Sequence, residues 1–372
     1  MMRMSLNDEQ RPRITVKCES FLFVHLYLLL FTFAGVYGQA EKEPKKPSTV
    51  QELYNTSSCI PKPYICPHPM IQYYLYTRRT QYNPELIDTL RPESLYKSQF
   101  NRAHATKIVI HGFGGGRNLS PSTDMREAYF YRGNYNIFIV DYGTLVKEPC
   151  LKQMEWAPRF CALCVAHLVR YLTQHPRGTR ADRLHLIGYS VGAHISGLVA
   201  NYLESHIDGK LGRITGLDPT IVFYSGQNKS RDLDPSDAHF VDILHTNSGI
   251  LGQWGPNGHA DFYINGGSSQ PGCASDTLFK TLACDHTKVT PYFIESIITP
   301  RGFWAYPCPT LISYLLRICN PDEEEYVLMG EHVSNRARGI YYVTTNAEAP
   351  FAQGHPLKVD RETLRRKNPN YI

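Results

Sequence analysis

Arg183-Leu-His-Leu-Ile-Gly-Tyr-Ser-Val-Gly-Ala-His194 is the stretch whose reading decides the fold. Leu184 to Ile187 is a short apolar run of the kind that forms a buried strand. Gly188-Tyr-Ser190-Val-Gly192 follows. Beyond it the apolar period changes: Ile195, Leu198, Val199, Tyr202 and Leu203 fall on one face of a helix. Strand, tight turn with serine at the apex, then helix is the context that G-x-S-x-G needs to act as a nucleophile elbow. Glycines two before and two after the serine let strand and helix approach closely and leave the hydroxyl exposed. Standing alone, the pentapeptide is equally compatible with a bland turn, because glycine and serine are common turn residues. The rest of the chain must decide.

The chain has 372 residues, 42% hydrophobic and 20% charged. That fits a globular protein with a sizeable core and not a disordered one. A dispersed net charge of +5 serves ordinary solubility. There is no arginine-rich helix, zinc-finger spacing or RNA-binding signature, so nucleic acid is not an expected partner. Arg3, Arg11, Arg13 and Lys17 precede an apolar core from Phe21 to Gly35, and Val36-Tyr-Gly38 offers small residues for cleavage. Residues 1–38 therefore read as a secretory signal peptide. A retained anchor is the competing reading, but the apolar run is short of the about 20 residues a span requires. An extracellular, secreted protein is expected, with residues 39–53 as a flexible N-terminus.

Nine cysteines remain after Cys18. They come in close pairs, which suggests Cys59–Cys66, Cys150–Cys161, Cys273–Cys284 and Cys308–Cys319, with Cys164 left over. Sequence alone does not prove that connectivity. Cys161-x-x-Cys164 has no matching pair to complete a zinc site. Asn55, Asn118 and Asn228 begin glycosylation sequons, which fit an exported chain.

Strands are expected at Ile71–Tyr76, Lys107–Ile110, Asn136–Asp141, Arg213–Asp218, His239–Leu244, Ala260–Ile264 and Gly339–Thr345. Helices are expected at Cys161–Leu172 and Val289–Ile298. Strand–helix alternation around one core predicts an α/β fold with a mostly parallel central sheet flanked by helices. One domain over residues 54–346 is expected, with 347–372 as a tail. His111-Gly-Phe-Gly-Gly-Gly116 follows a strand but lacks the Gly-Lys-Ser/Thr ending of a phosphate loop. It reads as a loop presenting backbone N–H groups.

A serine hydroxyl needs a base, and a histidine base needs a carboxylate to fix its tautomer. In α/β hydrolases the order is Ser, then Asp or Glu, then His. Ser190, Asp218 at a strand end, and His286 in Cys284-Asp-His286 follow that order. Taken singly, Asp218 could cap a turn and His286 could be a surface histidine. The Val191 N–H and the Phe113 N–H are candidate oxyanion donors.

Taken together, His111-Gly-Phe113, Val140-Asp141, Gly188-Tyr-Ser-Val-Gly-Ala-His194, Thr215-Gly-Leu-Asp-Pro219, Leu233-Asp-Pro-Ser-Asp-Ala238, Val241-Asp-Ile-Leu-His-Thr246 and Cys284-Asp-His286 resemble, in order, the motifs of the pancreatic lipase family. The resemblance runs from about Tyr54 to Thr345. It implies an α/β-hydrolase fold, Ser190, Asp218 and His286 as the triad, Phe113 and Val191 as oxyanion donors, and support for the four disulfides. It implies a lipid-ester hydrolase acting at a membrane or lipid surface. No cofactor is required for the chemistry. The chain is too short for the family's C-terminal sandwich, so no colipase is expected. Tyr189 stands where many relatives have histidine. The Cys273–Cys284 loop corresponds to the lid, here carrying Leu278, Phe279 and Leu282. Its shortness, and that of the segment 247–257, resembles the phospholipase A1 branch more than triacylglycerol lipases. Asp232, Asp234 and Asp237 cluster carboxylates on one loop that suits calcium, and Asp234 and Asp237 with backbone carbonyls correspond to a structural calcium site of related lipases, although Lys229 replaces an acidic residue. A capped acidic turn is the competing reading there. The alternative to an enzyme is a lipase-fold lipid-binding or yolk-type storage protein.

Overall fold

Alternation with period two along the central strands sends side chains to both faces of one sheet. Ile108, Ile110, Phe138, Val140, Leu184 and Leu186 enter one buried cluster. Val109, Ile137, Ile139 and Ile187 enter another. A computed structural model describes residues 59–147, 150–203, 206–207, 209–224 and 228–358, without the side chains of Leu151 and Phe279. The expected leader, the 39–53 segment, the sequon at Asn55 and most of the tail lie outside the described residues.

The strands are β1 (Gln72–Tyr76), β2 (Glu85–Leu86), β3 (Ala105–Ile110), β4 (Tyr135–Asp141), β5 (Leu184–Tyr189), β6 (Leu211–Leu217), β7 (Ala238–His245), β8 (Ala260–Ile264), β9 (Phe303–Pro307), β10 (Val327–Met329) and β11 (Gly339–Val343). They form one sheet in the order β10-β9-β11-β8-β7-β6-β5-β3-β4-β1-β2. The seven strands from β11 to β4 in that order are parallel to their neighbours. Antiparallel pairs finish both edges. The helices are α1 (Pro92–Lys97), α2 (Ser122–Arg132), α3 (Ala157–Gln174), α4 (Val191–Leu203), α5 (Leu278–Thr287), α6 (Val289–Ile298) and α7 (Leu311–Leu315). α3 and α4 bury their apolar faces in the first cluster. α2 and α6 bury theirs in the second, through Met125, Tyr129, Tyr292, Phe293 and Ile297. This is the α/β-hydrolase architecture. Among the described residues, no helix is long and apolar enough to cross a membrane.

Two disulfides fall as the cysteine spacing predicts, Cys273–Cys284 and Cys308–Cys319. The other two do not. Cys59 bonds Cys150, and Cys66 bonds Cys164, with Cα–Cα separations of 5.6 and 5.1 Å. Among the described residues Cys161, not Cys164, is the free thiol, and it is buried. The reason is tertiary. The segment after Cys59 runs along α3 and the turn that precedes it: the Ile60 N–H donates to Gln153 Oε1 at 2.8 Å, and the His68 and Phe160 rings lie 5.5 Å apart. Each N-terminal cysteine thus faces a different part of the same helical region, and proximity in sequence misleads.

A buried charged cluster ties the late strands to the sheet. Lys107 Nζ lies 2.5 Å from Glu331 Oε1, and the Tyr129 hydroxyl donates to Glu331 Oε2 at 2.6 Å. Arg213 forks onto Asp242 at 2.7 and 2.8 Å and donates to the carbonyls of Gly330 and Glu331. Burial alone would raise the Glu331 carboxyl, but Lys107 and Arg213 outweigh it and hold it below the usual range.

Candidate active site

Ser190 and Asp218 are the first residues beyond the C-terminal ends of the neighbouring parallel strands β5 and β6. That edge is where open parallel sheets put their functional groups. Both residues have left-handed backbone, with φ of 56° and 44°. Such strain at two non-glycine positions persists only where the surroundings enforce it. At Ser190 the elbow glycines do so by close approach. A Cβ on Gly188 would sit 2.2 Å from the Gly192 carbonyl oxygen, and one on Gly192 would sit 2.2 Å from that of Ile110. The Ser190 N–H donates to Leu217 O at 2.9 Å, and the Asp218 N–H to Leu244 O at 2.8 Å.

His286 lies in the last turn of α5, two residues past the Cys273–Cys284 bridge. Its Nδ1 is 2.5 Å from Asp218 Oδ2, and its Nε2 is 2.9 Å from Ser190 Oγ. An ionised carboxylate only accepts, so Nδ1 carries the proton and Nε2 is left to accept from the serine hydroxyl. Asp218 is fully buried. Its other oxygen accepts the backbone N–H groups of Thr246 at 2.9 Å and Asn247 at 3.1 Å. The three residues expected from sequence therefore meet in one hydrogen-bonded chain.

The His111-Gly-Phe113 loop leaves β3 and passes over the serine. A Cβ on Gly112 would come within 3.2 Å of Ser190 Cβ. His111 holds this loop. Its Nδ1 donates to Gly112 O at 2.8 Å, and its ring stacks on Tyr142 at 4.2 Å. Burial pushes it down to about 4, so it stays a neutral strut. The half-buried Phe113 packs on the first core cluster. Val191 opens α4, where N–H groups have no intrahelical acceptor. His194 is a second neutral strut, also pushed down to about 4 by burial. It donates from Nε2 to Thr220 O at 2.9 Å and accepts the Leu233 N–H at 3.2 Å. Tyr189 lies with its ring 5.3 Å from that of His286.

The bridged loop is partly helical: α5 starts inside it, with Thr277 capping the Lys280 N–H. Leu278 is 67% exposed and Leu282 half-buried, while the Phe279 side chain is outside the described residues. The aspartate loop serves its own turn. Asp234 accepts from Ser236 N at 2.6 Å, Asp237 from Asp234 N at 2.9 Å, and Asp232 from Asn228 N at 3.0 Å. Asp232 Oδ1 and Asp234 Oδ2 are buried without a partner. Among the described residues, however, no three carboxylates, histidines or cysteines are arranged to hold a metal. The turn holds the three aspartates through the backbone N–H groups of Asn228, Asp234 and Ser236.

Gln270, which none of the motifs contains, lies beside the site together with Asp285. Gln270 and Asp285 are both buried and hydrogen-bonded to each other. Asp285 was visible only as the neighbour of His286.

A family model described as Lipase matches residues 35–351. The chain belongs to that family. It is 31% identical over 287 residues to pancreatic lipase-related protein 2 of Rattus norvegicus, covering 72% of this chain and 60% of the relative. It is 29% identical over 309 residues to pancreatic triacylglycerol lipase of Oryctolagus cuniculus, covering 76% and 64%. It is also 31% identical over 310 residues to inactive pancreatic lipase-related protein 1 of Homo sapiens, covering 76% and 64%. The Lipase-family chain thus spans less than two thirds of the length of these relatives. Among solved structures, the α/β hydrolase MGS-M1 from a deep-sea metagenome overlaps 50% of this chain and 69% of its own, with a TM-score of 0.30 and 16% identity. The fold assignment rests on the sheet order and the family, not on that overlap.

Proposed function

We propose that this Lipase-family chain is a secreted hydrolase of lipid esters that uses Ser190 as nucleophile. The single observation carrying the reading is the unbroken chain from Asp218 through His286 to Ser190, with links of 2.5 and 2.9 Å. His286 Nε2 takes the Ser190 proton as Oγ attacks the acyl carbonyl carbon. The Phe113 and Val191 N–H groups stabilise the oxygen anion. The imidazolium, steadied by Asp218, returns the proton to the departing alcohol oxygen. Water, deprotonated by the same histidine, then cleaves the acyl-serine ester.

The lipid part of the reading rests on the family and on the surface around the serine. Leu278 at the start of α5, and Ile250 and Trp254 on the loop between β7 and β8, are exposed apolar side chains that a lipid surface could cover. The short bridged loop favours a phospholipase A1-type substrate with a bulky head group over a triacylglycerol. The four disulfides are compatible with an oxidising, extracellular setting.

Initial rates on phosphatidylcholine, a galactolipid and a triacylglycerol test the substrate. Faster turnover of phosphatidylcholine is expected, with fatty acid released from the sn-1 position. A strong preference for triacylglycerol would reject the phospholipase A1 assignment. A lipid carrier without turnover is the second reading, since one relative is named inactive. The intact triad makes it the weaker one.

A further inference from the structure

The two halves of the triad come from different parts of the fold. Asp218 follows the C-terminal end of a central strand, whereas His286 rides on a helix that begins inside a bridged loop. Their hydrogen bond spans 68 residues of sequence, and the Cys273–Cys284 bridge ties α5 to its own loop rather than to the strand. Something must fix the helix against the sheet edge.

Gln270 does this through its side-chain amide and its backbone N–H. Its side-chain amide donates to Thr246 O and to Ile264 O, both at 2.9 Å. Its Oε1 accepts from Asn265 Nδ2 at 2.9 Å. Its backbone N–H donates to Asp285 Oδ1 at 2.6 Å, and Asp285 precedes His286. Thr246 in turn presents its N–H to Asp218 Oδ1. The path from Asp218 to His286 is therefore Thr246, Gln270, Asp285, with three hydrogen bonds and then the peptide bond from Asp285 to His286, and all five residues are buried. The charged groups that act on Asp285 are Asp218 and Lys288. A buried amide with both donors satisfied has one orientation, so it transmits position and not merely bulk.

We propose that Gln270 is a positioning residue that sets the helix bearing His286 against the strand end bearing Asp218. The proposal rests on the reading of Ser190, Asp218 and His286 as the catalytic triad. Gln270 touches no reacting atom. Methionine in its place fills similar space without donors, and glutamate keeps the shape but, when ionised, turns acceptor oxygens toward two carbonyls.

The test compares wild type, Gln270→Met and Gln270→Glu in three measurements: the rate at which an alkylphosphonate ester labels Ser190, the melting temperature, and the downfield proton resonance of His286 Nδ1–H. Misplacement by a fraction of an ångström to 1 Å is expected to slow labelling by about ten- to a hundredfold in Gln270→Met, with unchanged saturation concentration and a shifted or broadened resonance. Gln270→Glu should show the same loss at about pH 9. It should approach the wild-type rate as the buried carboxyl protonates toward about pH 5 and regains a donor. A folded Gln270→Met that labels at the wild-type rate with an unmoved resonance overturns the proposal. If Gln270→Met fails to fold, the Gln270→Glu to wild-type ratio decides, and a ratio flat across that pH range overturns it. Wild type that takes no label contradicts the hydrolase reading instead. The resonance alone then decides the positioning role, a shift in the variants supporting it and no shift overturning it.

Discussion

Asp218 divides its two carboxylate oxygens between tasks: Oδ2 meets His286 Nδ1 at 2.5 Å, while Oδ1 is held by the Thr246 and Asn247 N–H groups. The second set of bonds fixes the plane of the carboxylate for the imidazole. Asp218→Asn retains size but can present an amide donor to Nδ1, favouring the wrong histidine tautomer. A fall in kcat of about 10⁴-fold with little change in melting temperature is expected. Steady-state kinetics on a soluble short-chain ester check it.

Gly252 is required by proximity rather than by backbone conformation. A Cβ there would lie 2.6 Å from Asp218 Oδ1 and 2.8 Å from Oδ2. Gly252→Ala must therefore push the carboxylate from its N–H cradle. kcat should drop by about tenfold or more while KM holds. Equal drops in kcat and in folded fraction would show that the residue matters only for stability.

Asp285 gives the fold a pH signature. Burial, together with the negative Asp218, pushes its carboxyl up to about 6, against the opposing Gln270 N–H. In the unfolded chain it titrates near 3.8. Between those values the folded state binds more protons than the unfolded state. Its contribution to stability is thus complete below about pH 4 and lost as pH rises through about 6. Asp285→Asn removes that dependence. Urea unfolding of both proteins at pH 4 and pH 7 should show the variant gaining relative to wild type at the higher pH. A difference that stays constant would contradict it.

The N-terminal segment is stapled to α3 by Cys66–Cys164, which closes a separation of 98 residues. Non-reducing peptide mapping should recover Cys59 with Cys150 and Cys66 with Cys164, and a lone reduced Cys161. Replacing Cys66 and Cys164 together by alanine should cost about 2–5 kcal/mol. Denaturant unfolding measures it, and activity at low temperature should survive.

Much of this was legible in the sequence where one residue type has one physical job. The run Asn136–Asp141 became β4 because strands buried on both faces read as continuous apolar segments, and the apolar-polar run Ala260–Ile264 became β8. Val289–Ile298 emerged as α6 with those bounds. Ser190, Asp218 and His286 met because strand ends and motif order fix them independently of loop detail. What failed depended on contacts between distant segments. Cys59 and Cys66 are neighbours in sequence but answer to different parts of the α3 region. β9 and β10 are short edge strands whose partners, not their composition, make them strands. The pairing of Lys107 with Glu331 crosses 224 residues and leaves no local trace. Gln270 carries no motif, since an amide acquires its role only from the carbonyls around it.

The central claim is that Ser190 is an activated nucleophile. Intact mass and peptide mapping after exposure to an alkylphosphonate ester test it most directly. One covalent adduct is predicted, on the peptide containing Ser190, forming with the loss of esterase activity and absent in Ser190→Ala. Folded wild-type protein that takes no adduct, or a Ser190→Ala variant that still hydrolyses ester at the wild-type rate, would contradict it.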